Sequence, residues 1–469
     1  MKILLTVPLY PFRYSHPPIP DLGLGSLAAV LIVAGHQVAV NDWNDRSNLS
    51  QLSRFLTTFK PEVVGIKFLT LNVAAAKRTV AFINSVLNDR VIIVLGGPHS
   101  SAEDKKWLSL DFPEAHGRFL GEAEKTIVHF TDLLQTTGPD QSDRLVAALP
   151  KFDGFEPFTA NDSAHSAMTV VEKLDSLPFP AWELIDPRKY PGFSVDGRKR
   201  FLAPIMASRG CPQGCKFCGT ARVSGQLIRR HSPEYLIDLI DHLKQHFSVS
   251  AFSFLDPNFM TDTPWLSMFL EKLNSRTSNI VWDCIWQPNP IQINKSVLLE
   301  MRQAGCRVII MGIETGNDSI LQQCGKRGTV DMFKEQVETI TESGINVHGF
   351  FMLGFPGESY QQIQHTINFA LSLPLQALSL NICYPLPGTE YYDWLRKKYS
   401  LARIDWSHFN IYRSPFPMSQ ISSLELARIR RRAQVRNILQ PGKLYADLKR
   451  GLLTKDVVFS QLKKWSPFS

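Results

Sequence analysis

The sequence predicts an α/β protein: an N-terminal doubly wound parallel sheet, then a partial (β/α)6 barrel of the TIM type, then a helical C-terminal region. Three observations carry this expectation. Short apolar runs with little alternation recur between helix-period segments, the pattern of parallel strands covered on both faces. That pattern breaks between about Thr136 and Arg200 into Pro, Asp, Ser and Gly, which marks a linker. The second stretch holds six strand–helix units, fewer than the eight of a closed barrel. A chain of 469 residues is too long for one ordinary core and suits two domains with an appendage.

Residues 1–135 form the first unit. Strands are expected at Lys2–Val7, Gln37–Asn41, Glu62–Phe68, Val91–Leu95 and Arg118–Leu120, with helices near Gly25–Ala34, Leu52–Phe59, Val73–Asn88 and from Glu122. A doubly wound sheet presents its ligand site beyond the C-terminal strand ends. Residues 136–200 are the linker. Residues 201–390 form the barrel, with strands near Ala203–Ser208, Ala251–Leu255, Ile280–Ile285, Arg307–Gly312, Asn346–Leu353 and Ala377–Ile382. Helices fall between them, for instance at Pro233–Phe247, Ser296–Ala304, Val330–Ser343 and Tyr360–Leu371. Residues 391–469 are helical and basic, with Trp406, Phe409, Tyr412 and Phe416 fitting a lid or a packed appendage equally.

With 44% apolar and 20% charged residues the chain is globular rather than disordered. Lys and Arg exceed Asp and Glu by 51 to 43, and this net charge of +8 is too slight to point to nucleic acid. Part of the excess crowds one C-terminal helix at Arg428, Arg430, Arg431, Arg432 and Arg436. That is a solvated face, or a contact with an anionic substrate, a membrane surface or a partner protein. The opening Met1–Pro8 is a buried first strand rather than an export signal. Leu27–Ala34, as helix, covers about 12 Å of a hydrocarbon layer of about 30 Å, so no transmembrane segment is expected. Seven cysteines without an export signal point to a reducing, cytoplasmic compartment.

Three of those cysteines crowd one segment, Arg209-Gly-Cys-Pro-Gln-Gly-Cys-Lys-Phe-Cys-Gly219, at spacing C-x3-C-x2-C after the first barrel strand. Reactive groups of barrels gather at such strand ends. Cys211, Cys215 and Cys218 can hold three irons of a cubane and leave the fourth open to a further ligand. A zinc site completed from elsewhere, or a cluster used only for electron transfer, is the plainer alternative. No second Cys/His pair at knuckle spacing lies nearby to favour zinc. Cys284, Cys306, Cys324 and Cys383 stand singly and are expected as packing residues, Cys324 on a more exposed loop.

On this motif, with Phe217 before its last cysteine, the chain resembles the radical S-adenosylmethionine (SAM) superfamily. Further segments resemble that family in order: Phe254–Met260, Met311–Gly316, Gly349–Glu358 and Tyr384–Thr389, each at a strand's C-terminal end. The resemblance implies a 4Fe–4S cluster on the three thiols and SAM on the open iron. It places Phe217, Gly219, Asp256, Glu314, Gly354 and Pro385 around them. It also implies a 5′-deoxyadenosyl radical and an external low-potential electron donor of the flavodoxin or ferredoxin kind. Taken singly, Asp256 fits a helix cap and the glycines fit turns.

The first unit resembles the cobalamin-binding domain joined to many of these enzymes. Gly96, Gly97 and His99 follow the fourth strand, Gly121 and Glu122 stand at the last helix, and Thr70 lies in the Phe68–Asn72 loop that would meet the lower face of cobalt. A doubly wound domain without cofactor is the alternative. The Asp-x-His-x-x-Gly of histidine-ligated cobalamin domains is missing: Pro8–Arg13 stands there and His16 is out of register. Together the two resemblances imply methyl transfer to an unactivated carbon. Oxidative cyclisation or ring rearrangement is the second enzymatic reading, and a non-catalytic cobalamin or metal regulator the third. The substrate, small molecule or peptide, is not written in these residues.

Overall fold

The computed structural model describes residues 1–8, 19–42, 49–87, 91–137, 152–158, 166–195, 198–260, 262–276, 279–288, 294–406 and 416–440. Residues 9–13 and His16, which bear on the missing histidine motif, lie outside them, as do Phe409 and Tyr412.

The N-terminal sheet runs in the order β2-β1-β3-β4-β5-β6, with β1 Lys2–Thr6, β2 Gln37–Asn41, β3 Val63–Lys67, β4 Ile92–Gly96, β5 Gly117–Phe119 and β6 Phe155–Pro157. The first five strands are parallel, and β6 joins β5 antiparallel. Ile3, Leu4, Val64, Ile93 and Leu95 are fully buried because helices cover both faces. Among these helices, α1 (Leu22–Val33) starts where Asp21 accepts the Leu24 N–H, and α2 (Leu49–Phe59) and α3 (Val73–Leu87) follow. Then come α4 (Pro98–Ala102), α5 (Lys105–Asp111) and α6 (Glu124–Thr137).

The segment expected as a linker builds structure at both ends. β6 lies within it, Thr169 bridges to Gly121, and β7 (Phe193–Val195) pairs antiparallel with β8 (Arg198–Ile205). The buried ion pair Arg118–Glu156 at 2.7 Å ties β6 to the sheet.

The second sheet has the order β15-β14-β13-β12-β11-β8-β7. Its six parallel strands are β8 Arg198–Ile205, β11 Val249–Phe254, β12 Val281–Trp286, β13 Cys306–Glu314, β14 Asn346–Leu353 and β15 Ala377–Ile382. The sheet has two ends, as expected of an open barrel, and the antiparallel β7 blunts one. Between the strands lie α7 (Thr220–Ser224), α8 (Pro233–Phe247), α9 (Thr263–Arg276), α10 (Lys295–Gln303), α11 (Asp318–Gln323), α12 (Val330–Glu342) and α13 (Tyr360–Ser372). A two-stranded ribbon, β9 (Ser208–Arg209) with β10 (Arg229–Arg230), closes the cysteine-bearing loop.

After the barrel, α14 (Glu390–Lys398) and α15 (Ser423–Ile438) pack back on the body. α15 buries Leu426, Ile429 and Ala433, and Arg430 donates to the Leu380 carbonyl, while Arg428, Arg431, Arg432 and Arg436 stay exposed. Trp406 is buried and donates to Glu103 of the first domain at 2.7 Å, which makes it a packing residue. Among the described residues no helix is long and apolar enough to cross a membrane.

Candidate functional site

The cysteine loop is held from below. Asp256, at the end of β11, is fully buried and accepts from the Ala207 N–H at 2.9 Å and the Ser208 hydroxyl at 2.6 Å. Burial pushes its carboxyl up to about 6. Asp256 therefore anchors the strand from which the loop springs. Gly210 sits at φ +93 and a Cβ there would lie 2.1 Å from the Leu227 carbonyl, so only glycine lets the ribbon close.

Cys211 is buried, Cys215 and Cys218 are partly exposed, and the space above Gly214 is open. The Cys218 N–H donates to the Cys215 carbonyl at 3.1 Å and the Lys216 N–H to the Cys324 carbonyl at 3.0 Å. Among the described residues no three His, Cys, Asp or Glu side chains converge on a point one ion could fill. Thiols that each take a separate iron need no such convergence. Burial pushes the Cys215 thiol up to about 12 and raises Cys211 too, while the Lys326 ammonium pulls both down. Cys324 is wholly buried and its thiol donates to the Leu321 carbonyl, so the expectation of an exposed loop is corrected.

Lys326 is the functional neighbour that sequence reasoning missed. Its side chain is 2% exposed and donates to the Gly312 carbonyl at 2.5 Å and to Gln287, with Glu314 Oε1 at 3.4 Å. Glu314 ends β13 at φ +71, an unfavourable conformation for a side-chain-bearing residue. Burial raises its carboxyl, and Lys326 opposes the shift. A lone lysine after a cysteine carries no motif; only the fold brings it under the thiols.

The loop after β14 completes this end. Glu358 accepts from the Gly354 N–H at 2.6 Å and the Phe355 N–H at 3.0 Å, and burial pushes it up to about 7. Its other oxygen is buried without a partner among the described residues. A Cβ on Gly354 would strike Leu426 of α15 at 2.4 Å, so this glycine serves packing as well as the loop. Phe217 meets Phe355 edge-on at 6.2 Å, and a Cβ added to Gly219 would lie 3.9 Å from Leu386, beside the buried Pro385. The structure thus gathers Phe217, Gly219, Glu314, Gly354 and Pro385 about the thiols, with Asp256 beneath.

In the first domain, Thr70 Oγ1 and His99 Nδ1 lie 3.1 Å apart at the ends of β3 and β4. The His99 ring sits between Phe68 and Trp406, and burial pushes it down to about 3, so it is a neutral imidazole. His99 Nε2, Ser100 Oγ and Asn72 Nδ2 are buried without partners among the described residues, and nothing stands within 4 Å of a Cβ on Gly96. Gly97 instead packs on the Phe68 backbone, 2.8 Å from a would-be Cβ.

Gly121 and Glu122 lie before the helix they were expected to open, and both are packed against neighbouring segments. α6 begins at Glu124, and Gly121, at φ +77, abuts the Thr169 carbonyl. Arg229 clamps Glu122 through both nitrogens at 2.7 and 2.8 Å, and the Val171 N–H donates to the same carboxylate. Arg209, two residues before Cys211, pairs with Glu124 at 2.7 Å. These carboxylates are engaged by arginines of the ribbon that closes the cysteine loop.

The residues present fit the groups their chemistry suggests. Thiols beside an open space and a buried ammonium suit an iron–sulfur cluster. Orphaned polar atoms at Glu358, and at His99, Ser100 and Asn72, suit ligands rich in amines, hydroxyls and amides.

The family model for the radical SAM superfamily matches residues 205–370, and that for the B12 binding domain matches residues 14–131. An uncharacterized methyltransferase of Pyrococcus horikoshii is 25% identical over 96% of this chain and 95% of its own length. The cytidylyl-2-hydroxyethylphosphonate methyltransferase of Streptomyces wedmorensis is 24% identical over 83% of this chain and 80% of its own. The radical SAM methyltransferase TsrM of Kitasatospora setae, solved with cobalamin and a 4Fe–4S cluster, aligns with a TM-score of 0.65 at 17% identity. That alignment covers 86% of this chain and 79% of TsrM, and it establishes the common fold. A radical SAM domain works with a 4Fe–4S cluster and SAM, a B12 domain with cobalamin, and this chain has both. The chain belongs to the radical SAM enzymes that carry a B12-binding domain.

Proposed function

We propose that the chain is a C-methyltransferase acting on an unactivated carbon. One observation carries this reading: α4, which follows Gly96 and Gly97, packs against α7, which follows the cysteine loop, and a Cβ added to Gly388 would lie 3.6 Å from both Ala102 and Arg222. The segments that follow the loops suited to the two cofactors thus meet at one junction. When bound, the cluster and SAM supply a carbon radical and cobalamin supplies a transferable methyl group. The methyltransferase names of the two relatives support the same reading.

The chain's own residues then have these parts. Cys211, Cys215 and Cys218 hold the cluster, with the buried Lys326 ammonium offsetting thiolate charge. Glu314, Glu358 and the backbone after β14 orient the amine and hydroxyls of SAM. His99, Ser100, Asn72 and Thr70 offer hydrogen bonds to cobalamin, and neutral His99 keeps positive charge out of that pocket. Phe217, Phe355 and Pro385 exclude water between the two loops. The electron comes from a flavodoxin- or ferredoxin-like donor, and a reducing cytoplasm is the setting the cysteines suit.

Product analysis of the anaerobically reconstituted enzyme tests this, with candidate substrates and a low-potential reductant. Methyl transfer yields 5′-deoxyadenosine and S-adenosylhomocysteine in comparable amounts. 5′-Deoxyadenosine alone, with a cyclised or rearranged product, contradicts methyl transfer.

A further inference from the structure

Below the strand ends that carry the cofactor loops lies the concave face of the half-barrel, and the strand register identifies its residues. Successive side chains of a strand point to opposite faces. Phe252, Trp282, Cys284, Ile309 and Phe351 are buried under the helices. Their neighbours Ser253, Asp283, Ile285, Ile310 and Phe350 therefore face the concave side, where each is partly exposed.

This face carries two polar anchors on an apolar floor. Ser253, opposite Asp283 in the register, donates to its Oδ1 at 2.6 Å. His348 Nε2 and Ser379 Oγ lie 2.9 Å apart on β14 and β15. Between the anchors runs β13, with Val308 beside Asp283 and Ile310 beside both Ile285 and His348. Two strand spacings put the anchors about 10 Å apart across the sheet. The Phe350 ring lies 4.7 Å from that of His348.

Charge decides what can sit there. Asp283 is enclosed enough that burial pushes its carboxyl up to about 6, and Ser253 opposes the shift. No ion pair reaches it among the described residues, whereas Glu314 nearby has Lys326. Arg200, early in β8, shares the face of Leu202 and donates to the Asn279 carbonyl; from Leu202 to Asn381 no described strand residue on this face is lysine or arginine. Arg307, at the β13 bulge, turns its guanidinium back to the carbonyls of Arg302 and Cys306. A phosphate would meet a carboxylate with no guanidinium to hold it. A protonated amine would give the enclosed carboxylate its missing partner.

We propose that this face binds a largely apolar substrate that carries a protonated amine, with the amine on Asp283 and the body on Ile285, Ile310 and Phe350, and that it rejects phosphorylated compounds. The proposal rests on the methyltransferase reading in taking this face as the substrate's side.

Two probes with one apolar body, 4-phenylbutylamine and 4-phenylbutyl phosphate, test it by calorimetric titration into the cofactor-loaded enzyme. The amine is expected to bind at least about tenfold tighter, and Asp283→Asn to cut its affinity about tenfold without weakening the phosphate, whose repulsion the substitution removes. Equal or tighter binding of the phosphate, no binding of either, or an unchanged amine affinity in Asp283→Asn overturns the proposal. If that variant fails to fold, the wild-type ranking of the two probes decides. Iron content and 5′-deoxyadenosine formation by the wild-type enzyme report separately on the cofactor reading. A phosphate preference would therefore sink the substrate class and leave that reading standing.

Discussion

The cysteine loop at 209–219 and the acidic turn at 121–124 are both short, glycine-bearing segments at strand ends, yet the fold uses them in opposite ways. The cysteine loop is fastened by its backbone and by Asp256, so its thiols stay available beside open space. The turn commits its side chains: Glu122 to Arg229 and Val171, Glu124 to Arg209. Residue type and position are alike in suggesting a ligand site. What separates them is whether the hydrogen-bonding capacity is already satisfied within the protein.

The largest effect should fall on the free side of this contrast. On the proposed reading Cys215→Ala removes one of three iron ligands and is expected to abolish SAM cleavage, a loss of more than about a thousandfold, checked by 5′-deoxyadenosine yield. Retained turnover would break the comparison.

On the committed side, Arg229→Met leaves the buried Glu122 carboxylate without its bidentate partner. A loss of about 3 kcal/mol in unfolding free energy is expected by denaturant titration, with the affinity of the remaining folded protein for cobalamin changed little. A large drop in cobalamin affinity at unchanged stability would return Glu122 to the cofactor.

His99 gives a pH test. Its folded value of about 3 lies below the ordinary 6.5, so the unfolded chain binds the proton more readily. The stability it contributes is intact above about 6.5 and is lost as pH falls toward 3. At pH 5 the wild type should have lost about 2 kcal/mol that His99→Gln has not, measured as the difference between their unfolding curves at pH 5 and 7.5.

The smallest effects come from two glycines. Gly121→Ala puts a Cβ 2.3 Å from the Thr169 carbonyl at φ +77 and should cost about 1–3 kcal/mol. Gly96→Ala meets nothing within 4 Å, so thermal stability should hold within about 1 kcal/mol while cobalamin affinity falls. Equal destabilisation by both would show that open space and packed space have been confused.

Much of the fold was legible because parallel strands announce themselves as apolar runs, and β1 to β5 and the parallel barrel strands fall close to where the pattern puts them, except that the first barrel strand starts at Arg198 rather than near Ala203. The pieces of sheet inside 136–200 were not, since β6 and β7 are three-residue edge strands made by pairing rather than by their own pattern. At the site, C-x3-C-x2-C is local and could be read directly. Glu122 could not: its partner Arg229 lies 107 residues away. Lys326 and Asp283 are each ordinary in sequence and gain meaning only from the barrel closing around them.

The most direct test of the central assignment is iron analysis of the anaerobically reconstituted chain, followed by electron paramagnetic resonance of its reduced form with and without SAM. About four irons per chain and a reduced-cluster signal that changes on adding SAM are expected, because one iron is left for that ligand. Zinc in place of iron, or a signal indifferent to SAM, would contradict the account.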